Sequence, residues 1–424
     1  MNRRIGPIGL APGILPRHVG AYLIGAFFSI ALFSYLTSLT PYVLKVNLGL
    51  PEDQHGRLSG NLQFIQEIAI LLAVGWWGAL SDRLGRRFVL MAGFLITALA
   101  YVLYPLATSV PELLAYRLLF GLGVAAGGAM LTAVVAGDFP DERSRGSLTG
   151  LTYFVQGLGA TVSFFLLTKL PETFVARGVD ELWAGRYAYF VLAALGVVAA
   201  LAFRGMPAGR PAGVTGRRPV RVLLTEGLAA GRNPRIALSY ASSFAARADM
   251  VMVTLFLTLW IVQLRSRAGA SPAEAASQAG LAIGITQAAA LLWSPLFGML
   301  GDRLHKVTVM ALAFALAVLG YGALALTPDP SAADARWVLV LLGVGQASAI
   351  LAPALLLGQE ATSALRGSTF GLQAMFGGLG ILAMSLAGGR LFDGVGPSAP
   401  FALMAIANGL VLVGALAVRR VGLR

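Results

Sequence analysis

The chain has 424 residues, 57% hydrophobic and 12% charged, with a formal net charge of +13 and no cysteine. Soluble proteins carry about 25% charged residues, so the composition excludes an ordinary water-soluble fold, and the lack of cysteine excludes disulfides and thiolate metal sites. The positive charge does not describe a nucleic-acid surface, because no long polar segment exists to carry one. The histidines, His18, His55 and His305, are too far apart in sequence to suggest a His-rich metal site.

The first 17 residues are basic and contain Pro7, Pro12 and Pro16. The apolar run that follows is too long for a signal-peptide core, and no small-residue cleavage pattern follows it, so it is read as a retained first helix. A bilayer-spanning helix needs about 20 mainly apolar residues. Twelve such segments are predicted, near 20–44, 58–80, 88–108, 112–137, 147–169, 186–204, 236–263, 276–300, 307–327, 335–357, 368–388 and 398–418. The expected fold is therefore an all-α membrane protein.

An even number of spans places both termini on one side. Lys and Arg number 21 on that side and 9 on the other, with Arg117 and Arg247 left inside helices. The positive-inside rule then predicts cytoplasmic termini and a multi-pass protein of the cytoplasmic (inner) membrane. The longest polar segment, 205–235, holds Pro207, Pro211 and Pro219 and many arginines, and reads as a linker. Within it, 220–229 is predicted to form a short amphipathic helix on the membrane surface. The expected domains are an N-terminal six-helix bundle over 1–204, this linker, and a C-terminal six-helix bundle over 236–424.

The two halves repeat. Gly78-Ala-Leu-Ser-Asp82-Arg83-Leu-Gly85-Arg86-Arg87 follows the second helix, and Gly298-Met-Leu-Gly-Asp302-Arg303-Leu-His305-Lys306 follows the eighth. Arg145-Gly146-Ser147 begins a run that recurs from Arg366-Gly367-Ser368, with Gly157-Leu158-Gly159 matching Gly378-Leu379-Gly380. Both matches fall at nearly one offset, and both halves start on the same side, so the repeats are parallel. That arrangement suits two bundles rocking about a central cavity at the membrane midplane.

Ionisable residues inside a membrane are costly and mark function. Glu67 in the second helix and Arg117 in the fourth lie at similar depths, so a Glu67–Arg117 pair is expected, either fixing helix packing or tuning a protonatable carboxylate. Glu67 aligns with Gln287 in the other half, which makes any proton chemistry asymmetric. In the seventh helix Ser243, Arg247, Thr254 and Thr258 recur at helical spacing as one polar stripe, with Arg247 near the midplane and suited to a carboxylate or phosphate, either of the solute or, as a structural pair, on another helix. Asp249 falls on a different stripe and is a candidate either for a structural contact or for carrying a proton. Gln63, Gln66, Gln156, Gln287, Gln346 and Gln373 are candidates for cavity lining or interhelical hydrogen bonds, and Ser34, Ser38 and Tyr42 form a further stripe. Gly123 and Gly127 have the spacing of close helix packing.

The run Gly78 to Arg87 resembles motif A of the major facilitator superfamily, its degenerate copy at Gly298 to Lys306 falls where that family has one, and Arg117 with Gly121 is similar to motif B. The resemblance covers essentially the whole chain. It implies twelve helices in two six-helix bundles and secondary transport of a small molecule, with no catalytic site and no cofactor. Asp82, at a helix end where its own dipole disfavours it, would face the start of the eleventh helix near Gly367 and Ser368, since helix N-termini attract anions. In the family this contact closes the cytoplasmic side. Arg83 or Arg86 would then pair with Asp138, Asp302 would face the start of the fifth helix near Gly146, and Arg303 would pair with Glu360. His305 replaces Gly85 in the second copy and is expected to keep the same turn, since His tolerates positive φ better than most residues.

The leading reading is a monomeric secondary transporter for a small organic solute, coupled to protons. Multidrug efflux is an alternative, weakened because the fifth helix lacks the Gly-Pro motif of drug–proton antiporters. A lipid-handling or sensor protein on the same scaffold is an alternative of another class, though a sensor would usually carry a soluble output domain. No Gly-x-Ser-x-Gly, HExxH or Walker A run supports an enzyme, and without a nucleotide site the energy must come from a gradient. Asp82→Asn should impair transport while leaving membrane insertion intact. Normal transport by a well-expressed Asp82→Asn protein would remove the gating role.

Overall fold

The computed structural model describes residues 4–5, 8–134, 138–140, 144–208, 220–362 and 365–421. Twelve helices are long and apolar enough to cross a membrane: α1 (Pro16–Asn47), α2 (Glu52–Leu84), α3 (Arg86–Leu106), α4 (Val110–Gly128), α5 (Gly146–Val175), α6 (Glu181–Gly205), α7 (Pro234–Arg267), α8 (Pro272–Arg303), α9 (Lys306–Ala325), α10 (Arg336–Glu360), α11 (Gly367–Gly394) and α12 (Ala399–Arg420). Helices satisfy their own backbone donors and acceptors, which an apolar slab cannot do for them. Several run well past the apolar stretch. α2 extends beyond both ends of 58–80, because polar residues in water can continue a helix that the membrane has already nucleated.

Ahead of α1, Arg4–Ile5 and Ile8–Gly9 form a short antiparallel pair. The segment then leans on the loop after α4, where the Ala11 N–H donates to the Phe139 carbonyl at 2.9 Å and the Gly9 N–H to Ser144 Oγ at 2.8 Å. Of the predicted linker, 209–219 lie outside the described residues. The helix Val220–Ala230 follows and is tied to α7 and α11. The Tyr240 hydroxyl of α7 donates to the Gly227 carbonyl at 3.0 Å, and a Cβ on Gly227 would meet the Ser368 carbonyl oxygen of α11 at 2.8 Å.

The Cα positions divide into two compact units. One comprises residues 1–50, 65–215 and 272–277, the other 51–64, 216–271 and 278–424. In the first, α1 packs on α5 and α6, and α3 on α4 and α6. In the second, α7 packs on α11 and α12, and α9 on α10 and α12, the same arrangement.

The glycines that allow these approaches repeat as well. A Cβ on Gly121 of α4 would run into the Gln66 carbonyl of α2, and one on Gly343 of α10 into the Thr286 carbonyl of α8. Gly159 of α5 lies against the Phe27 carbonyl of α1, and Gly380 of α11 against the Phe244 carbonyl of α7. Gly123 likewise meets Gly93 of α3, whereas a Cβ on Gly127 would meet only the Phe94 ring, at 3.7 Å. A tryptophan indole pins each second helix of a repeat: Trp77 Nε1 donates to the Leu122 carbonyl, and Trp293 Nε1 to Ser348 Oγ, both at 2.9 Å.

Gly380→Val should overpack this contact and cost about 1–3 kcal/mol, seen as a lower unfolding midpoint of the purified protein. Gly371→Val, where a Cβ meets nothing within 4 Å, should leave the midpoint unchanged. Equal midpoints for the two variants would contradict the packing role.

Candidate functional site

At the end of α2 the chain turns sharply into α3. Gly85 takes φ +94°, a conformation that favours glycine. The turn aims Arg86 at two carboxylates: Nε donates to Asp138 at 2.9 Å and Nη1 to Asp82 at 3.1 Å, with Ser81 Oγ as a third acceptor. One planar guanidinium thus bridges the end of α2 and Asp138, beyond α4, a geometry lysine cannot reproduce. Arg83 is at the last turn of α2. At Gly78 and Gly298 an added Cβ would meet nothing, so space does not require glycine there.

The second copy differs. His305 has φ −61° and ψ 131°, so the turn survives as a helix break without the positive φ expected of it. An extended residue ahead of α9 suffices. Lys306 Nζ folds back onto the Gly301 carbonyl, while Asp302 and Arg303 are exposed. The expected Arg303–Glu360 pair is replaced: Glu360 accepts from Arg235 Nη1 at 2.9 Å and from Asn233 Nδ2 at 3.4 Å. The physical reason is local. Arg235 is in the first turn of α7, which packs directly along α10. The side chains of Arg145 and Arg366 lie outside the described part of the structure.

In the first unit, Arg117 is completely buried in α4. Its Nη2 donates to Thr37 Oγ1 at 3.3 Å, and its guanidinium carbon lies 6.0 Å from the Tyr104 ring centroid and 5.9 Å from that of Phe120, within cation–π range. Tyr35, Tyr101, Tyr104 and Tyr189 pack ring against ring around this region. Single-sequence reading missed that aromatic cage, because its members come from three different helices and share no spacing. Glu67 is buried in α2. Ser34 and Ser38 are buried too, and Ser38 Oγ donates to the Ser34 carbonyl inside its own helix.

In the second unit, α7 carries two charged groups in opposite surroundings. Arg247 is exposed, near the middle of the span, and makes no hydrogen bond or ion pair with any described residue. Its stem runs over Gly377 of α11, where an added Cβ would fall 2.5 Å from Arg247 Cγ and 3.2 Å from Nε. Asp249 is fully buried. Its Oδ1 accepts from Asn408 Nδ2 of α12 at 3.1 Å, while its backbone carbonyl takes the Tyr321 hydroxyl of α9 at 3.0 Å and Gln346 Nε2 of α10 at 3.4 Å. Among the described residues, Asp249 Oδ2 and Asn408 Oδ1 have no hydrogen-bond partner.

The polar stripe expected along α7 does not continue past Arg247. A π-helical turn at Val253–Leu257 inserts an extra residue and turns the rest of the helix. Ser243, ahead of that turn, and Thr254 and Thr258 are all buried, the two threonines each bonded to a carbonyl four residues back. α1 has a π-helical turn of its own at Val43–Asn47. Of the glutamines, Gln287 donates to Gln346 at 3.4 Å and Gln373 to Ser239 Oγ at 2.8 Å, both joining helices, while Gln156 is partly exposed.

Twelve apolar helices, a repeated packing scheme and charged groups inside the helices are those of a polytopic membrane protein. The family model described as Major Facilitator Superfamily matches residues 22–384, and the chain belongs to that superfamily. It is 29% identical over 417 residues to the magnetosome protein MamH of Paramagnetospirillum magneticum, covering 95% of this chain and 92% of MamH. It is 27% identical to the magnetosome protein MamZ of the same organism, but spans only 58% of that protein's length. The multidrug resistance protein MdtG of Salmonella choleraesuis is 26% identical over 94% of both chains. Among solved structures, the nucleoside transporter NupG superposes with a TM-score of 0.73 at 16% identity, covering 96% of this chain and 99% of NupG. The D-xylose–proton symporter superposes at 0.68 and 17% identity, covering 94% and 97%. These two likenesses are of fold alone.

Proposed function

We propose that the chain is a proton-coupled secondary transporter that carries a small organic anion across the cytoplasmic membrane by alternating access, with both termini in the cytoplasm. Motif A contributes to closing the cytoplasmic side through its charged cluster of Asp82, Arg86 and Asp138, and Glu67 with Arg117 is the candidate charge pair of the first half, either for packing or for tuning a protonatable carboxylate. The observation that carries the reading is Arg247, exposed at mid-helix and without a partner among the described residues. A guanidinium facing lipid at that depth would be costly, so its exposed side is read as facing water. A carboxylate or phosphate of the solute would complete its hydrogen bonds in bidentate fashion. Gly377 leaves the lane in which the side chain lies.

Asp249, two residues on, is assigned the proton. An ionised carboxylate buried with, among the described residues, a single amide donor and no cation beside it is expensive. The protonated acid would also supply the donor that Asp249 Oδ2 and Asn408 Oδ1 together lack. Both groups are on one helix, so a proton on one and an anion on the other can act on the same element.

The likeness to MdtG over nearly the whole of both chains supports a second reading, multidrug efflux. A thermal-stabilisation screen separates the two. Organic anions should raise the unfolding midpoint of the purified protein, and lipophilic cations should not. With the best anion, Arg247→Gln should bind about tenfold or more weakly, as expected for a lost charged hydrogen bond, and Arg247→Lys should fall between. Unchanged affinity in both stably folded variants would sink the assignment.

A further inference from the structure

The two compact units do not divide at helix ends. Residues 51–64 belong with the second unit, although the rest of α2, from Ile65 on, belongs to the first. What fixes this end of α2 is a carboxylate that no motif marks. Asp393, at the end of α11, accepts the backbone N–H of Gly56 on Oδ1 at 2.8 Å and that of Arg57 on Oδ2 at 2.7 Å. The α-helical part of α2 begins at His55, after a 3-10 turn at Glu52–Gln54, so these are first-turn amides that an α-helix leaves without partners, and the helix dipole adds to the attraction.

Beneath the carboxylate the two helices touch backbone to backbone. A Cβ on Gly56 would fall 2.9 Å from the Gly389 carbonyl oxygen, and one on Gly60 would run into the Ser385 carbonyl. Gly56 and Gly60 are four residues apart, as are Ser385 and Gly389, so each helix presents a smooth strip of small residues to the other. The preceding turn is tied to α7: Gln263 Nε2 donates to the Glu52 carbonyl at 3.0 Å and Arg267 Nε to its carboxylate at 3.2 Å.

We propose that Asp393, capping the first turn of α2, is a latch that holds shut the face of the membrane away from the termini. The proposal rests on the alternating-access reading above. A cap of two charge-assisted bonds is strong when formed, yet water can take over both partners when it opens. Apart from the Phe392 ring beside Gly56, the strips meet through backbone atoms, so little side-chain repacking accompanies their parting. Motif A pairs a carboxylate with charged partners at the other end of the same helix, so α2 would be clamped at alternate ends in alternate states.

The natural absence of cysteine makes the test direct. Ser59, between the two glycines, is fully buried. A Ser59→Cys protein in nanodiscs is labelled with a hydrophilic maleimide, alone and combined with Asp393→Ala, Asp393→Asn or Gly60→Leu. Asp393→Ala should speed labelling severalfold, Asp393→Asn less, and Gly60→Leu at least as much, each with a folded protein by its unfolding midpoint. A lowered midpoint with no change in labelling rate would show a static cap and overturn the latch. No labelling in any variant, Gly60→Leu included, would mean that the helices never part, and would overturn the alternating-access reading itself.

Discussion

Apolar side chains in a bilayer gain little by leaving lipid for a neighbouring helix, so association depends on how closely backbones approach. Here that approach is made by glycines set against carbonyl oxygens. Gly121 on Gln66 and Gly343 on Thr286 join the second and fourth helices of each half; Gly159 on Phe27 and Gly380 on Phe244 join the first and fifth. The indoles of Trp77 and Trp293 add one hydrogen bond each to the former pair. Corresponding contacts build both halves, and side chains elsewhere on these helices are left available for charge.

The halves use that freedom differently. In the first, Arg117 is sealed among tyrosine rings and cannot meet a solute without rearrangement of that cage. By the offset that relates Gly121 to Gly343, the corresponding residue of the second half is Leu339. There the cation is on α7 instead, at Arg247, exposed over Gly377, with the carboxyl of Asp249 buried two residues along. The π-helical turn that follows both groups changes the face presented by the remainder of α7. A scaffold of near-symmetric helices thus carries an asymmetric charge pattern.

The twelve helices were legible because the length of an apolar run is set by the bilayer and is a property of local sequence. The repeat was legible because Gly78 to Arg87 and Gly298 to Lys306 share residue types at fixed spacing. Helix ends were not, since α2 and α8 continue as polar turns. Nor was the π-helical turn of α7, because a one-residue insertion has no composition of its own. The partners of Asp249 come from α9, α10 and α12 and are invisible to any local pattern, as are the tyrosine cage and the cap at Asp393. His305 shows the opposite error: a residue able to adopt positive φ was expected to use it, but the second copy makes its turn with an extended residue.

Coupling, on this reading, means that a proton on Asp249 travels with an anion on Arg247. Proteoliposomes carrying the stabilising anion and an internal pH dye put that to the test, with Asp249→Asn beside the natural protein. Anion-driven proton movement is expected in the natural protein. In Asp249→Asn that proton movement should be lost, while exchange of labelled for unlabelled anion persists. Proton movement that survives in a folded Asp249→Asn protein would contradict the coupling.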